Sequence, residues 1–403
     1  MQYTDKVLEH FTHPRNIGEI LDADGVGNAG SPECGDTLRV WIKIADEHLV
    51  NIKYRVFGCP AAVACCSMMT ELAMGMHVDE AAELTDDQVA EALGGLPEQK
   101  YHCSNIAASG LYDAIMSYAL KSHRKNKTMT LTVLVDNTAA EGLSSEHGLS
   151  FWIEYNGKHI LFDTGQSDLL VHNAKKLNVD LSQTDAILLS HGHYDHTGGL
   201  KAALEKAPDA MIYLHPDAAK IRYSRKPEKP PHPVSMPQAC CQSLSEAVPK
   251  GNVVYTDKPQ RIYPGVMLTG PIPRVMNYED TGGAFYDDFE CTLPDRIVDD
   301  QALLIEMPQG LVVVLGCAHS GVVNTLRYAA KLSGQEQVYA VVGGMHLLNA
   351  SDKRIEKTIE ALKEYGVQKI TPAHCTGDKA VEKLKKAFPE QYSICPAGKQ
   401  IDL

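Results

Sequence analysis

The sequence predicts two domains in one chain: an α+β module, strands first and helices after, followed by an α/β module. Three observations carry this. The 403 residues are long for one domain, and with 44% hydrophobic and 22% charged residues they can bury two cores. Apolar patterning before residue 121 runs from alternating strands into helices, whereas after residue 128 strands and helices alternate. Between them "KSHRKNKT" (121–128) is polar and basic without an apolar period, and reads as a linker.

In the first module "LRVWIKI" (38–44) and "LVNIKYRVF" (49–57) alternate, the second with Val50, Ile52, Tyr54 and Val56 on one face. The polar "ADEH" between them makes an antiparallel hairpin. "CPAAVACCSMMTELAMGMH" (59–77) reads as a helix. Thr85 with Gln88 fits a capping box, and Gly94-Gly95 fits the end of that helix. "CSNIAASGLYDAIMSYAL" (103–120) supplies another. Gly25, Gly27 and Gly30 match a nucleotide-loop spacing, but no strand precedes them and no helix follows, so that reading is set aside.

In the second module "MTLTVLVDN" (129–137) is a strand, and "FWIEYNGKHILFDTG" (151–165) is a hairpin around Asn156-Gly157, a type I′ signal. Strands "AILLS", "GLVVVLG" and "QVYAVVGG" then alternate with helices such as "DKRIEKTIEALKEYG". The proline-rich "KPEKPPHPVSMP" (226–237) is expected to be a loop or lid.

A net charge of −13 argues against nucleic-acid or anionic-membrane partners. No stretch is apolar enough to span a bilayer, and the N-terminus lacks a secretory pattern. The expected compartment is the cytoplasm, where the eleven cysteines stay reduced and read as metal ligands or core thiols.

"SHGHYDHTGG" (190–199) begins where a buried strand ends, the edge at which α/β folds place their sites. His191 and His193, two apart, can share one ion. Asp195 and His196 follow where the chain turns and can reach a second. Burying such groups without a charged partner is costly. "VVVLGCAHSG", "KITPAHCTG" and "VVGGMHLL" place His319, His374 and His346 after other strands. The first two read as ligands, and His346 as a substrate-contacting or supporting residue.

"FDTG", "SHGHYDHTGG" and "PAHCTG" together resemble the ordered signatures of the metallo-β-lactamase fold, over about residues 129–403. "GCAHSG", "GGMH" and "HCTG" resemble its dihydropterin-type synthase branch. The resemblance implies an αββα sandwich. It implies one ion on His191, His193 and His319, a second on Asp195, His196 and His374, and Asp163 as the buried residue that orders the metal loop. Gly316-Cys317 stands where many members carry a bridging aspartate, leaving Cys317 either a bridging thiolate or an inert thiol. The ions would be one or two Zn or Fe, with Asp195 orienting an attacking water. His215, Arg222 and Tyr223, in the long insert after Gly199, are weak candidates for binding a substrate anion.

"SPECGD" (31–36), "FGCPAA" (57–62) and "YHCSN" (101–105) each set a cysteine at a turn, with Asp36 and His102 beside two of them. Converging thiolates suit iron–sulfur clusters or zinc. In that order they resemble the NifU/IscU-type cluster scaffold, over about residues 1–125. The resemblance implies Cys34, Cys59 and Cys103 as ligands of a cluster (2Fe–2S, or else zinc), Asp36 tuning its release and His102 as a further ligand. Cys65 and Cys66 read as helix-face packing.

The domains are thus expected at 1–125 and 129–403, with 126–128 between. The expected function is a metal-dependent hydrolase, or related transferase, of a small molecule, carrying an iron–sulfur assembly or binding module. The alternative is a cluster assembly or carrier protein whose second domain does iron-based redox or sulfur chemistry. Cysteine desulfurase and cluster acceptors are the expected protein partners, and self-association stays open.

Overall fold

The computed structural model describes residues 3–30, 35–125, 128–225 and 228–403. The chain gathers into two compact units, Met1–Asn126 and Lys127–Leu403. Among the described residues no helix is long and apolar enough to cross a membrane.

In the first unit α1 (Asp5–Thr12) starts at Thr4, whose hydroxyl accepts from Val7 N. Strands β1 (Gly25–Gly30), β2 (Thr37–Ala45) and β3 (His48–Phe57) form an antiparallel sheet in that order. Asp46 and Glu47, at φ 48° and 60°, make the left-handed turn of the β2–β3 hairpin. The expected face of β3 needs one correction. A bulge opposite Lys43/Ile44 pairs Ile44 with Leu49, so Leu49 is buried and Val50 is exposed, while Ile52 and Tyr54 stay inside. Helices α2 (Pro60–Ala73), α3 (Val78–Ala82), α4 (Asp86–Ala92) and α5 (His102–Lys125) cover the sheet. The Thr85–Gln88 capping box is formed in both directions. The glycines of β1 serve packing. A Cβ on Gly27 would lie 2.3 Å from Ala114 N and from Gly110 O, so only glycine lets α5 lie this close.

The expected linker also needs correction. Helix α5 runs through Lys125, so residues 121–125 are helical, and residues 126 and 127 lie outside the described residues. A helix already nucleated extends through polar residues at little cost.

The second unit is two sheets face to face with helices outside, an αββα sandwich. One sheet has seven strands, in the order 253–255, 211–214, 186–188, 158–162, 150–155, 129–135 and 400–402. The other has six, in the order 260–263, 266–268, 303–307, 310–315, 338–344 and 369–373. Phe151, Phe162, Leu188, Val312, Val314 and Val342 pack in the core between them. Helices Leu200–Lys206 and Gln238–Ala247 cover the first sheet, and Val322–Ser333 and Asp352–Glu364 the second. Asn156, at φ 48°, makes the expected tight turn. The proline-rich segment is not entirely loop. His232–Pro233 pairs with Tyr223–Ser224, which pairs with Phe285–Tyr286, in a small antiparallel sheet.

Candidate metal centre and cluster site

Strands Lys158–Phe162, Ala186–Leu188, Gly310–Leu315, Val338–Gly344 and Lys369–Ala373 deliver Asp163, His191, Cys317, His346 and His374 just past their carboxyl ends. Asp163, Ala318, His346 and His374 all have left-handed backbone, at φ 56°, 54°, 45° and 49°. Non-glycine residues hold that conformation only where surroundings impose it, and such strain gathers at functional sites.

Asp163 organises the first half. Its Oδ1 accepts from Ser190 N at 2.7 Å, its Oδ2 accepts from Ser190 Oγ at 2.7 Å, and the same Oδ2 lies 2.6 Å from His196 Nδ1. Ser190 Oγ in turn lies 2.9 Å from His191 Nδ1. With their Nδ1 atoms held, His191 and His196 turn Nε2 inward. His193 Nδ1 lies 3.0 Å from His191 Nε2 and 3.2 Å from His319 Nε2, while His319 Nδ1 donates to Thr281 O at 2.8 Å. His193 Nε2 is buried without a hydrogen-bond partner.

The second half faces Asp195. Its Oδ2 lies 3.1 Å from His374 Nε2 and 3.8 Å from His196 Nε2. His196 Nε2 is 3.1 Å from Cys317 Sγ. Asn137 Oδ1 fixes His374 through Nδ1 at 2.9 Å, and Asp136 Oδ1 accepts from the His374 amide at 2.8 Å.

In the first unit Cys59 precedes α2 and Cys103 lies in the first turn of α5, with Sγ atoms 3.7 Å apart. Cys103 Sγ is 3.5 Å from His102 Nε2 and 4.0 Å from Asp36 Oδ2. Burial and the Cys59 thiol push the Cys103 thiol up. Cys34 lies outside the described residues. Cys65 and Cys66 are buried in the core, and burial pushes Cys65 up to about 12.

Residues 2–125 match the NifU-like N terminal domain and residues 145–322 the metallo-beta-lactamase superfamily. The chain is 37% identical over 269 residues to the 7,8-dihydropterin-6-methyl-4-(beta-D-ribofuranosyl)-aminobenzene-5'-phosphate synthase of Methanocaldococcus jannaschii, covering 64% of this chain and 90% of that one. It is 48% identical over 147 residues to an iron–sulfur cluster assembly scaffold protein IscU of Archaeoglobus fulgidus, covering 36% of this chain and 96% of that one. The chain joins a NifU-like domain to a metallo-β-lactamase domain. A solved structure described as a metal-dependent hydrolase of the beta-lactamase superfamily is 31% identical, with a TM-score of 0.58, covering 68% of this chain and 99% of that one.

The donors of the metallo-β-lactamase domain fit a cation. Burial first, and the neighbouring rings second, hold His191 and His319 well below the ordinary imidazole range. Burial pushes His193 down to about 3. These rings are therefore neutral at pH 7, the form that binds a metal ion. Burial works against the Asp195 carboxylate, yet His196, His147 and His374 hold it well below its usual range. Burial lowers His196, but the carboxylates of Asp163 and Asp195 more than restore it.

Over this centre lies a cavity of ≈ 410 Å³ lined by His193, Asp195, Cys317, His319, His374 and, at its walls, Tyr194, Arg225, Phe285 and Asn349. Phe285 covers the His193 ring at 4.8 Å. His346 lies against His319, the two rings tilted by 51° with centroids 4.3 Å apart.

Three residues differ from the sequence reading or escaped it. Arg222 is fully buried. It donates to both Asp299 oxygens at 2.8 and 2.7 Å and pairs with Asp295 at 2.9 Å, so it is not open to a substrate anion. His215 takes Asp217 N as a turn cap. His147, in "SSEHGLS", lies 3.2 Å from Asp195 Oδ2 and lines the cavity. A single histidine in a polar loop gives no spacing by which it could have been found.

Proposed function

We propose that the metallo-β-lactamase domain is a metal-dependent hydrolase or group-transfer enzyme acting on a small molecule, and that the NifU-like domain carries an iron–sulfur cluster as cargo. The observation that carries the first reading is the convergence of His191, His193 and His319, buried and neutral, beside Asp195, His196 and His374. His191, His193 and His319 would hold one ion, and Asp195, His196, Cys317 and His374 the other. Such an ion, Zn or Fe, supplies Lewis acidity and brings the pKa of water to about 7.

The chain's own residues do the rest. Asp163 and Ser190 fix ring orientation and tautomer. Asp195 Oδ2 accepts a hydrogen bond from the attacking group and orients it. Phe285, 4.8 Å from the His193 ring, gives the cavity an apolar wall on that side. Arg225 at the cavity wall supplies positive charge for an anionic substrate. The name of the similar archaeal protein, a synthase of a 5'-phosphate, supports transfer or condensation beside hydrolysis.

In the NifU-like domain Cys59 and Cys103, with Cys34, would hold the cluster. Asp36 would tune its release and His102 would add a further donor. A cysteine desulfurase and cluster acceptors are the fitting partners. We take the modules as 1–125 and 129–403, with a reduced, cytoplasmic setting. A second reading, iron-based redox or sulfur chemistry in the second domain, is favoured by Cys317, a thiol 3.1 Å from His196 Nε2.

The test is elemental analysis with visible and Mössbauer spectra on protein purified without oxygen, paired with His193→Ala. The variant is expected to lose metal and turnover in the second domain and to keep the cluster signal. Zinc with colourless histidine sites supports the hydrolase reading, iron at both sites the redox reading. Full metal retention by His193→Ala would overturn the assignment.

A further inference from the structure

Cys375 follows His374 in "HCTG", and nothing in the proposed reaction uses it. Its surroundings differ from those of a packing thiol. Cys317 lies past the end of strand Gly310–Leu315 and Cys375 past the end of Lys369–Ala373. Val338–Gly344 runs between them, parallel to both. A Cβ on Gly344 would lie 2.8 Å from Cys375 Sγ, 3.3 Å from Cys317 Cα and 2.4 Å from Gly316 O. The absent side chain at the end of the middle strand lets the outer two bring their cysteines together across it.

The donor atoms of Cys317, His374 and Cys375 all lie within 4.8 Å of one another. Around a tetrahedral ion, with metal–sulfur of about 2.3 Å and metal–nitrogen of about 2.0 Å, donors stand roughly 3.5–3.8 Å apart, so a small inward movement suffices. Both thiols are buried, at 2% and 8% exposure. Cys375 Sγ lies 3.7 Å from the Cys317 carbonyl and within reach of His346. His346 Nδ1 is buried and has no hydrogen-bond partner. A packing cysteine meets apolar neighbours; this one meets a second thiol and two imidazoles.

We propose that Cys375 joins Cys317 and His374 in a two-thiolate shell for the second ion, taking in a set of four donors the place given above to His196, which also clusters with His191, with His346 at the edge of the set. The inference rests on the reading of this domain as a metal centre and narrows it. Paired thiolates select zinc, iron(II) or another thiophilic cation over manganese or magnesium.

The test uses the full chain with Cys34→Ser, Cys59→Ser and Cys103→Ser, which silences the NifU-like thiols. It is stripped of metal and titrated with Co²⁺ under reducing, oxygen-free conditions. An intense near-ultraviolet sulfur-to-cobalt band is expected beside the visible bands of histidine-bound cobalt. Cys375→Ser is expected to lower that band to about half, and Cys317→Ser with Cys375→Ser to remove it. X-ray absorption at the cobalt edge covers the case in which Cys375→Ser fails to fold. In the parent protein two sulfur neighbours per pair of ions are expected. An unchanged band in Cys375→Ser, or one sulfur or none at the edge, overturns the role of Cys375 and leaves the metal centre standing. Absence of bound cobalt altogether overturns both.

Discussion

Asp163 Oδ2 lies 2.6 Å from His196 Nδ1, and both side chains are fully buried. The same carboxylate holds Ser190 through its amide and its hydroxyl, and so reaches His191 as well. One charged group thus sets two imidazoles. Asp163→Asn tolerates the left-handed backbone but loses the charge and one acceptor. Metal affinity is expected to fall about 10–100-fold, read by competition against a coloured chelator. An unchanged affinity would remove Asp163 from any role in ordering the centre.

Arg222 compensates Asp295 and Asp299 in a region without solvent, and Asp299 Oδ2 also accepts from Gly192 N, between His191 and His193. Arg222→Met leaves two buried carboxylates unpaired and is expected to destabilise by about 3–5 kcal/mol in urea unfolding. Arg222→Lys cannot reproduce the fork and should recover only part of that loss. Wild-type stability in either variant would contradict this.

His193 is held down to about 3 by burial, against about 6.5 in an unfolded chain. As pH falls through 6.5 the unfolded state therefore takes the proton first, and stability declines until the folded state titrates. His193→Gln lacks this titration. Between pH 6.5 and 4, metal-free wild type is expected to lose stability relative to His193→Gln by up to about 1.4 kcal/mol per pH unit. Parallel curves from chemical unfolding at each pH would refute the depressed value.

Cys59 and Cys103 sit with sulfurs 3.7 Å apart at the starts of α2 and α5. Replacing either by serine is expected to reduce reconstituted iron and sulfide at least several-fold, since thiolates are the ligands such clusters need. Metal at the histidine centre should be untouched. Full iron and sulfide in both variants would end the scaffold reading.

What could be read in the sequence was local. The His191–His196 spacing, the Thr85–Gln88 box and the Asn156-Gly157 turn each depend on residues within a few positions of one another. What could not be read was made by distant segments meeting. Arg222 finds Asp295 and Asp299 over seventy residues away, His147 finds Asp195, and Cys375 finds Cys317 only through a glycine on a third strand. Val50 is exposed because it is the extra residue of a bulge on its own strand, left out between Asn51 and Leu49 in the pairing with β2, which an alternation pattern does not reveal. Helix α5 outlasted its apolar pattern because continuing a helix is cheaper than starting one.

The strands ending at Leu315, Gly344 and Ala373 are parallel neighbours in fixed register, Leu315 beside Gly343 and Gly344 beside Ala373, so they end within one residue of each other at one rim. A slip of one residue between any two would carry a donor about 3.3 Å and turn it to the opposite face. The centre is therefore a gauge of alignment: a chain misthreaded in this sheet cannot assemble it, and the ion content of a preparation counts the molecules whose strands are in step.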